Sequence, residues 1–226
     1  MEDHLQQVLG EIRDAPARLV AVSKNRSTRQ ILDLYGQGQR DFGENYVQEL
    51  CQKKDNLPGD IRWHFIGHLQ TNKVRQIASF VHTIHSIDSL KLLVELQRQA
   101  EKAGREINGL LQVHIACEET KTGMNDMELF QLAEEISAHT AHFSPISLTG
   151  LMGMASNTEN PELVRKEFRH LRELLHTLQR TSLVHLANFR ELSMGMSADY
   201  RIALLEGATI LRIGSLLFGT GQLGIT

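Results

Sequence analysis

Four short stretches hold side chains that could do chemistry together. Lys24 follows the apolar run Leu19-Val20-Ala21-Val22, as the first long charged side chain beyond an expected strand. A lysine there stands on rigid backbone, and Arg26 lies two residues on. A neighbouring cation favours the free amine, the form that attacks an aldehyde. A solvated lysine ending a strand has the same local pattern. Arg212 lies between Leu211 and Ile213, and it must face inward if those two face outward. An inward arginine is costly unless it meets an acceptor. Ser197 and the pair Gly214-Ser215 offer hydroxyls and unobstructed amides, and a helix expected right after Ser197 adds donors for an anion. Asn45, after Phe42-Gly43-Glu44, either caps a helix or points into the site, while Glu44 reads as a first-turn acid favouring that helix's dipole.

An amine, an anion cradle and an inward cation suit a small molecule with both an aldehyde and a phosphate. Pyridoxal 5'-phosphate fits: the lysine forms a Schiff base, the cradle takes the phosphate and the arginine meets the ring nitrogen. A sugar phosphate held by a Schiff-base lysine satisfies the same residues.

Those residues fall at the ends of recurring apolar runs. Strand patterns occupy residues 18–22, 40–42, 62–66, 81–86, 110–115, 146–152, 191–194 and 209–213. Helix patterns occupy 29–34, 46–53, 71–78, 90–103, 127–138, 162–179 and 198–205, with an extra helix at 5–13. In the helix at 90–103, Leu90, Leu93, Val94 and Leu96-Gln97 form the expected buried stripe. Regular alternation implies parallel strands with helical crossovers, and about eight units imply one (β/α)8 barrel spanning residues 1–226. A doubly wound open sheet is the alternative. In a barrel, the loops after strands seven and eight usually hold phosphate, and Ser197 and Gly214-Ser215 occupy those loops.

The composition narrows the class. The 226 residues carry a formal net charge of −3, with no basic footprint for nucleic acid or anionic membrane. The acidic start Met1-Glu2-Asp3-His4 lacks a secretion layout, and no apolar run approaches a membrane span. Cys51 and Cys117 make no disulfide framework, so the expected compartment is the cytoplasm with both thiols reduced. No conspicuous apolar surface helix is present, so a monomer is expected.

Several runs together resemble the pyridoxal phosphate homeostasis protein family. They are Ala21-Val22-Ser23-Lys24, Phe42 to Glu49, Trp63-His64-Phe65-Ile66-Gly67, Leu69-Gln70-Thr71-Asn72-Lys73, Leu192 to Ser197, and Arg212-Ile213-Gly214. The resemblance spans nearly the whole chain. It implies that Lys24 is the Schiff-base lysine, that Arg212 faces the pyridine nitrogen, and that Ser197, Gly214 and Ser215 contact the phosphate. Asn45 would lie near the cofactor. The chain departs from the family's usual pattern at His68, often proline, and at Ser215, often threonine.

The resemblance further implies the barrel of alanine racemase. Such racemases add a C-terminal β domain and a tyrosine from a second subunit. The expectation here is a chain ending at Thr226 without that domain, with Tyr35, Tyr46 and Tyr200 in helices. Arg212 opposite the ring nitrogen opposes a second positive charge there, leaving a weaker electron sink. A binding protein for pyridoxal phosphate that buffers or delivers it, with apo-enzymes as partners, is therefore favoured over a weak racemase or decarboxylase.

Other signals are set aside. Gly219, Gly221 and Gly224 spell a dinucleotide fingerprint but lack a following helix. His64 and His68 have zinc-pair spacing without helix or glutamate, and these two with His82, His85 and His114 read as core or rim residues. His139 and His142 read as helix-end groups. Arg165, Lys166, Arg169, His170 and Arg172 interleave with Glu162, Glu167 and Glu173 as a solvated helix face.

Overall fold

Each apolar run stops at a turn and gives way to an amphipathic segment, so the next strand can only return parallel to the last. The computed structural model describes residues 2–219 apart from 14, 16, 119, 120, 140–142 and 144. Its strands are β1 (Arg18–Val22), β2 (Asp41–Glu44), β3 (Arg62–Phe65), β4 (Thr83–Ile87), β5 (Ile107–Val113), β6 (Ile146–Gly153), β7 (Glu191–Ser193) and β8 (Ile210–Ile213). The helices are α1 (Glu2–Ile12), α2 (Thr28–Gly36), α3 (Val47–Lys54), α4 (Val74–Ile77), α5 (Leu90–Ala103), α6 (Asp126–Ala138), α7 (Pro161–Arg180), α8 (Tyr200–Leu205) and α9 (Ser215–Phe218). A 3₁₀ turn, Thr71–Lys73, leads into α4.

Neighbouring strands pair in parallel, and β1 pairs with β8 as well as β2, so the sheet closes. Closure excludes the open sheet and makes a (β/α)8 barrel. The register sets which side chains point inward. Val20 pairs Arg212, Gly43 pairs His64, and Met152 pairs both Gln112 and Ser193. Their neighbours Ala21, Phe42, Leu211 and Ile213 join the core between strands and helices. Inside the barrel, Val20, Leu110, Met152 and Ile210 make a separate apolar plug. Buried polar side chains, among them Asp41, His64, His85, Ser193 and Arg212, share the barrel with it.

Capping fixes where helices start. Ser27 caps α2 and Asn125 caps α6, each in a capping box with Gln30 or Glu128 three residues on. Asn160 caps α7 ahead of Pro161 at the first helical position. In α5 the buried face is Leu92, Leu93, Leu96, Gln97 and Ala100, while Leu90 and Val94 are exposed. The stripe is turned from the expected one because Leu92, Leu96 and Ala100 recur every fourth residue. Helix α1 seats Leu5, Val8 and Ile12 in the core and is tied down by Glu11, which accepts from Tyr200 and pairs with Arg201.

Candidate functional site

Lys24 stands two residues past β1, and both of its neighbours are anchored from below. Ser23 is fully buried; its amide donates to Gly43 and its hydroxyl to Glu44, at 2.6 Å. Lys53 Nζ donates to the Ser23 carbonyl at 2.6 Å and to Glu44 Oε1 at 2.7 Å. On the other side, the Asn25 amide donates to Glu49 Oε1, which also takes Lys53. Asn25 sits at φ 57°, the one non-glycine residue with positive φ among those described. Asparagine tolerates that conformation better than most residues. The backbone around Lys24 is thereby held while its side chain stays exposed toward a cavity.

Glu44 is therefore not a first-turn helix acid. It is the last residue of β2, fully buried, and burial pushes its carboxyl up against the opposing pull of Lys53. Asn45 does not cap α3 either; Tyr46 holds that position without a side-chain bond. Asn45 lines the cavity, and its buried Oδ1 has no partner. Gly67 lets the loop after β3 press on Asn45: a Cβ there would lie 2.2 Å from the Asn45 carbonyl oxygen.

Arg212 faces inward from β8 and is 4% exposed. Its Nη1 donates to Ser193 Oγ at 2.6 Å and its Nη2 to the Gly153 carbonyl at 3.0 Å. Burial lowers its pKa to about 10, with only the more distant charge of Asp199 opposing the shift. Among the described residues no carboxylate pairs with it directly. Gly195 at φ 91° lets the β7 loop turn so that its carbonyl receives the Arg212 amide.

The two loops beyond β7 and β8 meet at Ser197, whose Oγ accepts from the amides of Gly214 and Leu216 at 3.4 and 3.5 Å. Helix α8 starts at Tyr200 rather than directly after Ser197, because Asp199 folds back to take the Met196 amide at 2.5 Å. Ser197 thus joins the loops instead of opening a helix.

Lys24, Asn45, Ser197, Arg212, Gly214 and Ser215 all line one cavity of about 660 Å³ at the C-terminal end of the barrel. Val22, Ile66, Met154 and Met196 supply its apolar wall. Arg26 lines it too, while its guanidinium donates to the Gly219 carbonyl and stands over the Phe218 ring. The donor set matches pyridoxal phosphate: hydroxyls and loop amides for an anion, an unpaired buried cation for a neutral ring nitrogen, an orphaned amide oxygen and an exposed amine. His68 lies outside the lining, 58% exposed and 3.5 Å from Asp88. A cavity of about 680 Å³ between α5 and α6 is rimmed by Asp88, Glu128, Glu134 and Glu135 and holds no amine.

Sequence reading missed Glu44, Glu49 and Lys53 as the platform for Lys24, and Ser193 as the partner of Arg212. The buried register of β2 was the available signal for Glu44. The basic face of α7 is not simply solvated: Arg165, Arg169 and Arg172 converge on Glu206, and buried Glu167 takes the Cys117 amide and the Ser156 amide and hydroxyl. His139 caps α6 and bonds the Glu135 carbonyl, whereas His142, Gly221 and Gly224 lie outside the described residues. Cys51 and Cys117 are free thiols. No described helix is long and apolar enough to cross a membrane.

The model of the alanine racemase N-terminal domain family matches residues 1–222. A pyridoxal phosphate homeostasis protein of Aquifex aeolicus is 43% identical over 204 residues, covering 90% of this chain and 86% of that protein. PipY of Synechococcus elongatus, 34% identical, superposes with a TM-score of 0.89 without PLP, over 96% of this chain and 99% of that one. With PLP bound, PipY superposes at 0.83 over 94% and 99%. Alanine racemase of Bartonella henselae shares the fold at 16% identity and a TM-score of 0.70, across 98% of this chain and 58% of that one.

Proposed function

As the chain belongs to the pyridoxal phosphate homeostasis protein family, we propose that it holds pyridoxal 5'-phosphate reversibly beside Lys24 and buffers or delivers it, without itself being a catalyst. When bound, the cofactor supplies an aldehyde that condenses with an amine and a ring that withdraws electrons. Lys24 provides the amine. Ser197 and the Gly214-Ser215 amides take the phosphate, Arg212 donates to the ring nitrogen, and Asn45 offers its free oxygen to a donor of the cofactor. Arg212 keeps that nitrogen unprotonated, because a cation cannot face a second positive charge without cost.

The observation that carries the non-catalytic reading is the composition of the lining. Apart from Lys24 it consists of amides, hydroxyls, two guanidinium groups and apolar side chains. Among the described residues no carboxylate, imidazole, thiol or phenol stands opposite Lys24 as the second base that racemisation needs. Tyr46 is exposed at the start of α3, while Tyr35 and Tyr200 bond Asp60 and Glu11.

Absorbance of the purified protein with pyridoxal phosphate, before and after borohydride, followed by peptide mapping, tests the site. A stable adduct on Lys24 is expected, and an adduct on Lys73 would refute the assignment. A deletion strain with unchanged vitamer and amino-acid pools would refute the homeostatic role. Turnover of an amino-acid panel by the loaded protein, lost in Lys24→Ala, would restore the racemase or decarboxylase reading.

A further inference from the structure

Behind Arg212 a line of polar side chains crosses the barrel interior to its opposite end. Ser193 Oγ takes Arg212 Nη1 at 2.6 Å and lies 2.8 Å from His85 Nδ1. His85 Nε2 is 2.9 Å from His64 Nδ1, and His64 Nε2 is 3.0 Å from Asp41 Oδ1. Asp41 ends the line in a two-point contact with Arg62, at 2.7 and 2.5 Å. Ser193 and His85 are fully buried, and His64 is 1% exposed.

The two ends fix the direction of every bond. A guanidinium only donates, so Ser193 Oγ accepts from it and directs its own proton onward. His85 Nδ1 must then accept, which leaves its proton on Nε2. His64 accepts at Nδ1 for the same reason and donates from Nε2 to a carboxylate that only accepts. All five groups are satisfied by neutral histidines in one tautomer each. Reversing any link would leave Ser193 or Asp41 facing another group of its own kind.

Resting on the reading of the site given above, we propose that Ser193, His85, His64 and Asp41 are positioning residues for Arg212. They form a one-way hydrogen-bond chain that aims the guanidinium at the cofactor ring and is fixed in direction by a carboxylate at the far end of the barrel, itself paired with Arg62. No carboxylate could stand beside Arg212 itself without competing with the ring nitrogen for the same N–H groups. Holding the guanidinium through a neutral hydroxyl and two imidazoles leaves one edge of it for the ligand, and bonds in series polarise one another in a low dielectric.

The chain is tested in the unloaded protein by ¹⁵N NMR of labelled histidines at neutral pH. His64 and His85 are expected neutral with protons on Nε2; an imidazolium, or a proton on Nδ1 of either ring, would overturn the proposal. In loaded protein, Ser193→Ala should weaken pyridoxal phosphate binding about tenfold, as loss of one bond to a charged group predicts. It should also shift the absorbance band of the bound cofactor while the adduct still maps to Lys24. Ser193→Thr, which restores the hydroxyl, should recover both. Unchanged affinity and spectrum in Ser193→Ala would overturn the proposal. Failure of the wild-type chain to bind the cofactor would refute the proposed function instead, and the tautomers would then judge the chain of bonds alone.

Discussion

Lys53 reaches under β1 to place its Nζ 2.7 Å from Glu44, with both side chains buried, directly beneath the backbone that presents Lys24. Removing one partner of a buried pair leaves an uncompensated charge. Lys53→Met should therefore destabilise the fold by about 3–5 kcal/mol. The double replacement Lys53→Met with Glu44→Leu should recover part of that loss, since the buried Glu44 charge is gone while only the part-exposed Glu49 still lacks its lysine. Urea unfolding of the single and double variants measures both effects. Equal loss in the double variant would show that the pair acts through packing alone.

Lys24 itself contributes little to stability, being exposed at the cavity. Lys24→Ala should change unfolding free energy by no more than about 0.5 kcal/mol. The same variant should give no borohydride-stable adduct with pyridoxal phosphate. Chemical denaturation beside mass spectrometry separates the two outcomes, and a destabilised, unreactive variant would leave the loss of adduct to misfolding.

The barrel was legible because every β/α unit carries its own punctuation, and because a parallel strand must be followed by a crossover. The cavity residues were legible because they sit at the ends of those units: Lys24 beyond β1, Ser197 beyond β7, Gly214-Ser215 beyond β8. What the sequence hid is pairing over distance. Glu44 reads as a helix acid until the β2 register buries it, and nothing local ties it to Lys53. Arg165, Arg169 and Arg172 read as a solvated face until the packing of α7 on α8 brings all three to Glu206. His64 and His85 read as core or rim histidines and are core ones, but their ring partners, 21 and 108 residues away, exist only once the barrel closes.

Asn25 holds a left-handed backbone, φ 57°, right after Lys24. A β-branched side chain is poorly tolerated there, so Asn25→Val should cost about 1–3 kcal/mol and loosen the site, whereas Asn25→Gly should be close to neutral. Thermal melts distinguish them. Equal melting temperatures for the two variants would mean the loop relaxes freely.

Glu206 gathers Arg165, Arg169 and Arg172 at about 3.3 Å between α7 and α8. Burial raises its carboxyl, but hydrogen bonds from Arg169 and the neighbouring guanidinium charges outweigh that and hold it below the usual range. Glu206→Gln should destabilise by about 1–3 kcal/mol, with the effect shrinking at high salt because the arginines are part exposed. A salt-independent loss would assign the cost to packing instead.

Stability should fall in two separate steps as the solution is acidified. Burial and the nearby His64 hold His82 down at about 4, against an ordinary 6.5. Between those values the unfolded chain binds a proton that the folded one refuses, so stability drops as pH falls from about 6.5 to 4. Buried His64 and His85 are also held low and add to this step. Asp41 acts lower down. Burial raises its carboxyl, but bonds from Arg62 and His64 win and leave it well below 3.8. Its contribution is complete above that value and is lost as pH falls toward the folded pKa. Melting temperature followed against pH should show both steps. His82→Gln should flatten the upper step in part and leave the lower one. A melting temperature constant from about pH 7 to 4.5 would mean these histidines take up protons in the folded barrel.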